Sequence, residues 1–110
     1  MTDAIPDPRS YYNKGQVYWD AKNWVMAIGE LIKAIQADPN LTDAYWDRAY
    51  SYSKLDQLED SLDDYTKAIQ LDPDLAWASN NRGLTFRNLG QTANADADDS
   101  KACSLDSQYC

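Results

Sequence analysis

One stretch of the chain returns almost unchanged further along it. KAIQADPNL at 33–41 comes back as KAIQLDPDL at 67–75, identical at seven of nine positions after a shift of 34 residues. The same shift carries Tyr11 onto Tyr45, Tyr18 onto Tyr52 and Phe86, and Gly15 onto Ala49 and Gly83. It also carries Ala27 onto Ser61 and Ala95, Ala34 onto Ala68 and Ala102, and Asp38 onto Asp72 and Asp106. Small residues fall on small ones and aromatics on aromatics, so the period marks a structural unit. A unit this short cannot bury an apolar face alone, and stacking on its neighbours does that for it. The repeat therefore restricts the chain to a linear array.

Each unit reads as two helices. The first helices are expected at about 9–21, 43–55 and 77–89, the second at about 24–37, 58–71 and 92–105. Pro39 and Pro73 follow the second helices, where a ring lacking an N–H stops continuation. Lys22-Asn23, Asp56-Gln57 and Gly90-Gln91 supply the turn inside each hairpin. Gly15 and Gly83 fall mid-helix, where glycine costs about 1 kcal/mol against alanine. The compensation is close approach of the paired helix, with Ala27, Ser61 and Ala95 opposite. The expected fold is all-α, an α-solenoid of three helix-turn-helix hairpins with six antiparallel helices. A short arm over residues 1–7 precedes a domain over 8–110.

The period, the hairpin unit, the small residues at these positions and the two prolines together resemble the tetratricopeptide repeat. Units at about 8–41, 42–75 and 76–109 cover nearly the whole chain. The third departs most, with Ser79 at the family's opening tryptophan, Ser107 at the proline, and Asp96 and Asp99 at usually apolar places. Those aspartates suit a last helix with no following neighbour. Asp96, Asp98 and Asp99 are expected on a water-facing cap, with Ala95, Ala102 and Leu105 turned inward. Asp96-x-Asp98 also starts like a calcium loop, but the glycine and the distal glutamate of an EF-hand are missing.

The composition removes whole classes of function. The chain has no histidine and so no imidazole base or Ser-His-Asp machinery, and nothing in it pairs a nucleophile with a base. Two cysteines cannot close a structural zinc site, and no cofactor is implied. Ten basic against 18 acidic residues give a net charge of −8, which opposes binding to nucleic acid and to anionic membrane surfaces. No apolar run approaches the ~18 residues of a membrane-spanning helix. The N-terminus lacks the basic and apolar stretches of a signal peptide. The expectation is a non-catalytic, soluble adaptor.

The resemblance implies that the first helices line a concave groove, and it places candidate binding residues there. Those are Tyr12, Asn13, Gln16 and Trp19 from the first unit, Trp46, Asp47 and Tyr50 from the second, and Trp77, Asn80, Asn81 and Arg87 from the third. Aromatic rings bury large areas with little loss of entropy, and amides hydrogen-bond an extended backbone. The expected partner is therefore a protein, docking a short peptide or helix with Trp46 and Tyr50 as central anchors. Co-chaperone members of the family hold a C-terminal carboxylate with basic and amide groups. The matching positions here are Tyr12, Gln16, Asp47, Trp77 and Asn81, so the positive clamp is missing. A neutral or weakly basic peptide, apolar or proline-rich, fits better. The alternative is a self-associating scaffold, a homo-oligomer in which the same groove receives an element of another copy, such as the N-terminal arm.

Charge is unevenly spread. Residues 8–41 hold four basic and three acidic side chains, 42–75 three and nine, and 76–109 three and four. Glu59, Asp60, Asp63 and Asp64 are expected together on the solvated convex side of the middle unit. Cys103 and Cys110 end the chain in a run similar to cysteine-containing, Sel1-like relatives, in which a disulfide bridges neighbouring helices. That similarity implies a Cys103–Cys110 bridge and an oxidising compartment, whereas free thiols imply the cytoplasm; localisation stays open.

Overall fold

A computed structural model describes residues 7–110. Six helices follow one another: α1 (Pro8–Asp20), α2 (Trp24–Ala37), α3 (Thr42–Lys54), α4 (Leu58–Leu71), α5 (Ala76–Asn88) and α6 (Thr92–Leu105). A 3-10 turn, Ser107–Tyr109, closes the chain, and no strand occurs among the described residues. The second helices lie where the sequence puts them, and the first helices each start and end one residue earlier. The N-terminal arm expected over 1–7 lies outside the described residues except for Asp7. Its carboxylate accepts a hydrogen bond from the Arg9 N–H at 2.9 Å and caps α1.

The one-residue difference comes from the turn chemistry. After α1 the Asn23 N–H bonds back to the Tyr18 carbonyl at 2.8 Å, and the Lys22 N–H to that of Trp19 at 3.0 Å. This pair of bonds is a Schellman motif, and it requires a left-handed residue between helices. The motif recurs 34 and 68 residues later, so Lys22, Asp56 and Gly90 carry φ of 59°, 61° and 78°. Between hairpins, Asp38 and Asp72 each accept the backbone N–H two residues on, at 3.0 and 3.2 Å. Asp106 does the same for Gln108 at 3.1 Å, so the turn survives the loss of proline at position 107.

Pairs α1–α2, α3–α4 and α5–α6 form three antiparallel hairpins, and α2 packs on α3 and α4 on α5. The first helices also touch in sequence, α1 to α3 to α5, so they form one layer and the second helices the other. The described chain measures 55 × 25 × 20 Å, a rod of three stacked hairpins. Small residues set the hairpin spacing: Ala27, Ala34, Ala49, Ser61, Ala68, Ala95 and Ala102 are all fully buried. A Cβ built on Gly15 would come within 3.0 Å of Leu31, and one on Gly83 within 2.8 Å of the Asp99 carboxylate. Leu31 and Tyr65 then fill the space between hairpins. The Tyr45 hydroxyl reaches across to the Pro39 carbonyl at 2.8 Å.

Two expectations about charge are corrected here. Asp64 is buried rather than solvated, because Arg48 of α3 grips both its oxygens at 2.6 and 2.7 Å. Glu59, Asp60 and Asp63 do face solvent. Asp98 is likewise buried rather than on the outer cap, held by Arg82 at 2.8 and 2.7 Å. Both pairs join the two helices of one hairpin, sixteen residues apart in sequence and 34 from each other. Fork-to-carboxylate geometry satisfies every buried oxygen, which is what makes such burial tolerable. Asp96 stays exposed and Asp99 half-exposed, as a terminal helix requires.

Candidate functional site

The layer of first helices carries a connected row of aromatic rings. Trp46 meets Trp77 at a centroid distance of 4.8 Å, and Trp77 stacks on Tyr50 at 6.1 Å. Tyr50 lies 5.2 Å from Trp19, and Trp24 closes a triangle with both at 5.6 and 5.8 Å. Each of these rings is half-buried. Helical spacing places Trp46 and Tyr50 one turn apart on α3, and stacking brings α1 and α5 alongside with Trp19 and Trp77. The row is therefore assembled from three hairpins.

Three cavities open along it. Trp19, Trp46, Leu75 and Trp77 line an almost wholly apolar one of about 280 Å³. Trp19, Asp20, Lys22, Trp24, Tyr50 and Lys54 line another of about 390 Å³ at the hairpin-turn edge. There the Lys54 ammonium sits 5.1 Å from the Tyr50 ring centre. The third, about 360 Å³, lies between α3 and α5, with Tyr50, Ser53, Lys54, Asn81, Leu84 and Asn88 along its walls. Trp24, Leu58 and Leu75 belong to the site but lie outside the first helices, so sequence reasoning missed them. Trp24 and Leu58 share a signal, since each opens the second helix directly after the hairpin turn.

The remaining candidates divide into inward and outward groups. Tyr12, Gln16 and Asp47 form an internal polar group between α1 and α3. The Gln16 amide N–H donates to the Asp47 carboxylate and to the Tyr12 oxygen, the latter at 3.1 Å. Asp47 is only 1% exposed and is not the open groove carboxylate the sequence suggested. Burial pushes its carboxyl up to about 7, against the lowering effect of the Tyr12 hydrogen bond, and the charge on Asp43 adds to the rise. Tyr12 is held above its ordinary value, by burial first and then by the Asp47 charge.

Arg87 is not a free cation for a ligand. Its guanidinium bonds Asp99 at 2.7 Å and Asp96 at 3.2 Å, both on α6. Asn81 bonds back to the Trp77 carbonyl at 3.0 Å while lining the α3–α5 cavity. Asn13 is exposed and Asn80 half-exposed. Cys103 and Cys110 are bonded to each other, which ties the closing turn to α6.

Family models place these features in context. One described as tetratricopeptide repeat matches residues 8–41, and a second described as TPR repeat matches residues 51–90. A comparison with curated proteins returned no match. Among solved structures, the chain resembles the TPR domain of Arabidopsis OM64 with a TM-score of 0.89 at 25% identity, over 94% of this chain and 86% of that one. It resembles the first TPR of Spaghetti (RPAP3), solved bound to the HSP90 peptide SRMEEVD, with a TM-score of 0.87 at 23% identity, over 91% and 79%. MamA superposes with a TM-score of 0.89 at 22% identity, over 96% of this chain and 61% of its own. The last two similarities concern the fold. No described helix is long and apolar enough to cross a membrane. The chain belongs to the tetratricopeptide-repeat family of protein-interaction modules.

Proposed function

We propose that the first-helix layer is a groove that docks a short peptide or helix of a partner protein, without catalysis. The observation carrying this reading is the apolar cavity lined by Trp19, Trp46, Leu75 and Trp77 within a continuous aromatic row. Half-exposed rings at a helix junction offer a large contact area already held in place, so little entropy is lost on binding. Asn13 and Asn80, turned toward solvent, are the amides placed to hydrogen-bond the ligand backbone. Trp77 contributes twice, covering Tyr65 of the second hairpin as well as facing the cavity.

The ligand chemistry follows from the charges. The related Spaghetti domain takes a peptide ending in an acidic tail. Here Arg87 is already engaged by two aspartates, and no charged side chain lines the apolar cavity. An uncharged, apolar or proline-rich segment suits a cavity whose walls are rings. The test is a peptide-library selection on wild type beside Trp46→Ala/Tyr50→Ala, with helicity checked by circular dichroism. Apolar motifs enriched only by wild type are expected. Equal enrichment by both proteins, or enrichment of acidic C-terminal tails, would overturn the reading.

A further inference from the structure

Building on the groove reading of the first-helix layer, we propose that the cavity at the α1–α2 turn takes one side-chain carboxylate of the docked segment, an aspartate or glutamate received between Lys22 and Lys54. The repeat supplies an internal comparison, because the same cavity is built twice. Trp19, Asp20, Lys22 and Trp24 of the first hairpin meet Tyr50 and Lys54 of the second. Shifted by 34 residues, the same places line the cavity between α3 and α5. There Ser53, Leu58 and Leu84 stand for Trp19, Trp24 and Tyr50, and Asp56 and Asn88 stand for Lys22 and Lys54. Stacking of hairpins therefore requires neither the three rings nor the pair of lysines, and of the two cavities only the first has them.

Lys22 and Lys54 are exposed, and among the described residues neither has an ion-pair partner. Lys22 stands at φ 59°, at the place where the third hairpin has Gly90, so a strained turn position carries a cation into the cavity wall. Two lysines against the Asp20 carboxylate leave this cavity at +1, whereas Lys54 against Asp56 leaves the second cavity neutral. A single carboxylate matches that charge. A phosphate, with nearly two charges, would leave the site negative, and a cationic side chain would meet like charge where the Lys54 ammonium already lies over the Tyr50 ring. Trp19 walls both this cavity and the apolar one, so a segment whose apolar stretch covers the aromatic row brings its next residues to the lysines. The ligand is then an apolar or proline-rich stretch flanked by one acidic residue. Further negative charge on it would be repelled by a chain of net −8.

The probe is a library of peptides of about twelve residues, long enough to span the row when extended. Their ends are acetylated and amidated, so that no terminal carboxylate is on offer. Wild type is expected to enrich apolar stretches flanked by a single aspartate or glutamate. In fluorescence anisotropy a selected glutamate peptide should bind wild type about fivefold more tightly than its glutamine counterpart, and added salt should shrink the difference. The advantage should vanish in Lys22→Gln/Lys54→Gln, which is expected to keep its helicity because both lysines are exposed. Apolar stretches without an acidic preference overturn the carboxylate subsite and leave the groove standing, whereas no apolar enrichment at all overturns both. An acidic preference that survives in Lys22→Gln/Lys54→Gln overturns the subsite, as does a preference for lysine at that place. So does tighter binding of a phosphoserine counterpart, or enrichment of acidic peptides only when their C-termini are left free.

Discussion

Asp47→Asn is expected to stabilise the protein above neutral pH and to do nothing below pH 4. The Asp47 carboxyl is enclosed between α1 and α3 with only neutral partners, Gln16 and Tyr12, and its value rises from 3.8 to about 7. A raised folded value means that the native state holds the proton more tightly than the unfolded chain. Ionisation between pH 4 and 7 therefore penalises the native state, and the loss is complete above 7. A shift of about three units corresponds to about 4 kcal/mol at 1.4 kcal/mol per unit. Asparagine keeps the shape and an acceptor oxygen for Gln16 while removing the charge. Urea unfolding of both proteins from pH 4 to 9 gives the difference directly, and the other carboxylates cancel in it. The expected curve is near zero at pH 4, rises through pH 5–7, and levels off at up to about 4 kcal/mol in favour of the variant. A difference below about 1 kcal/mol throughout, or a less stable variant at pH 8, would refute the assignment of an unpaired buried charge. A carboxyl carbon resonance of Asp47 titrating near 4 would refute it independently.

Other outcomes follow from the same geometry. Arg82→Met leaves Asp98 buried without its fork and should lose about 3–5 kcal/mol in chemical denaturation, while Arg82→Met/Asp98→Leu should regain most of it. Lys22 holds φ 59°, so Lys22→Gly should raise stability by about 1 kcal/mol, whereas Gly90→Ala should lower it by a similar amount. Cys103→Ser/Cys110→Ser opens a short loop at the end of α6 and should lower the unfolding free energy by about 2–3 kcal/mol, with earlier amide exchange in the last turn. Ala68→Leu overpacks the middle hairpin and should cost about 1–3 kcal/mol or more; an unchanged unfolding midpoint would contradict the close α3–α4 contact.

The sequence by itself determined the architecture. A 34-residue period with small residues at fixed places leaves little freedom, because each buried alanine and each turn residue must recur wherever a hairpin recurs. The resemblance carried by that period also implied that Trp19, Trp46, Tyr50 and Trp77 face one groove, and their rings form one connected row. What stacking brings together was not legible in that way. Trp24 joins the aromatic row from a second helix, and Leu75 lines the apolar cavity from a connection between hairpins. Asp64 and Asp98 read as solvated when each helix is considered alone, and become buried only when an arginine arrives from the neighbouring helix sixteen residues earlier. The same holds for Asp47, which the resemblance placed in the open groove and which Gln16 and Tyr12 of α1 instead enclose. Burial and proton affinity depend on what lies across a helix–helix interface, and a pattern read along one chain direction carries the face of a residue but not its partner.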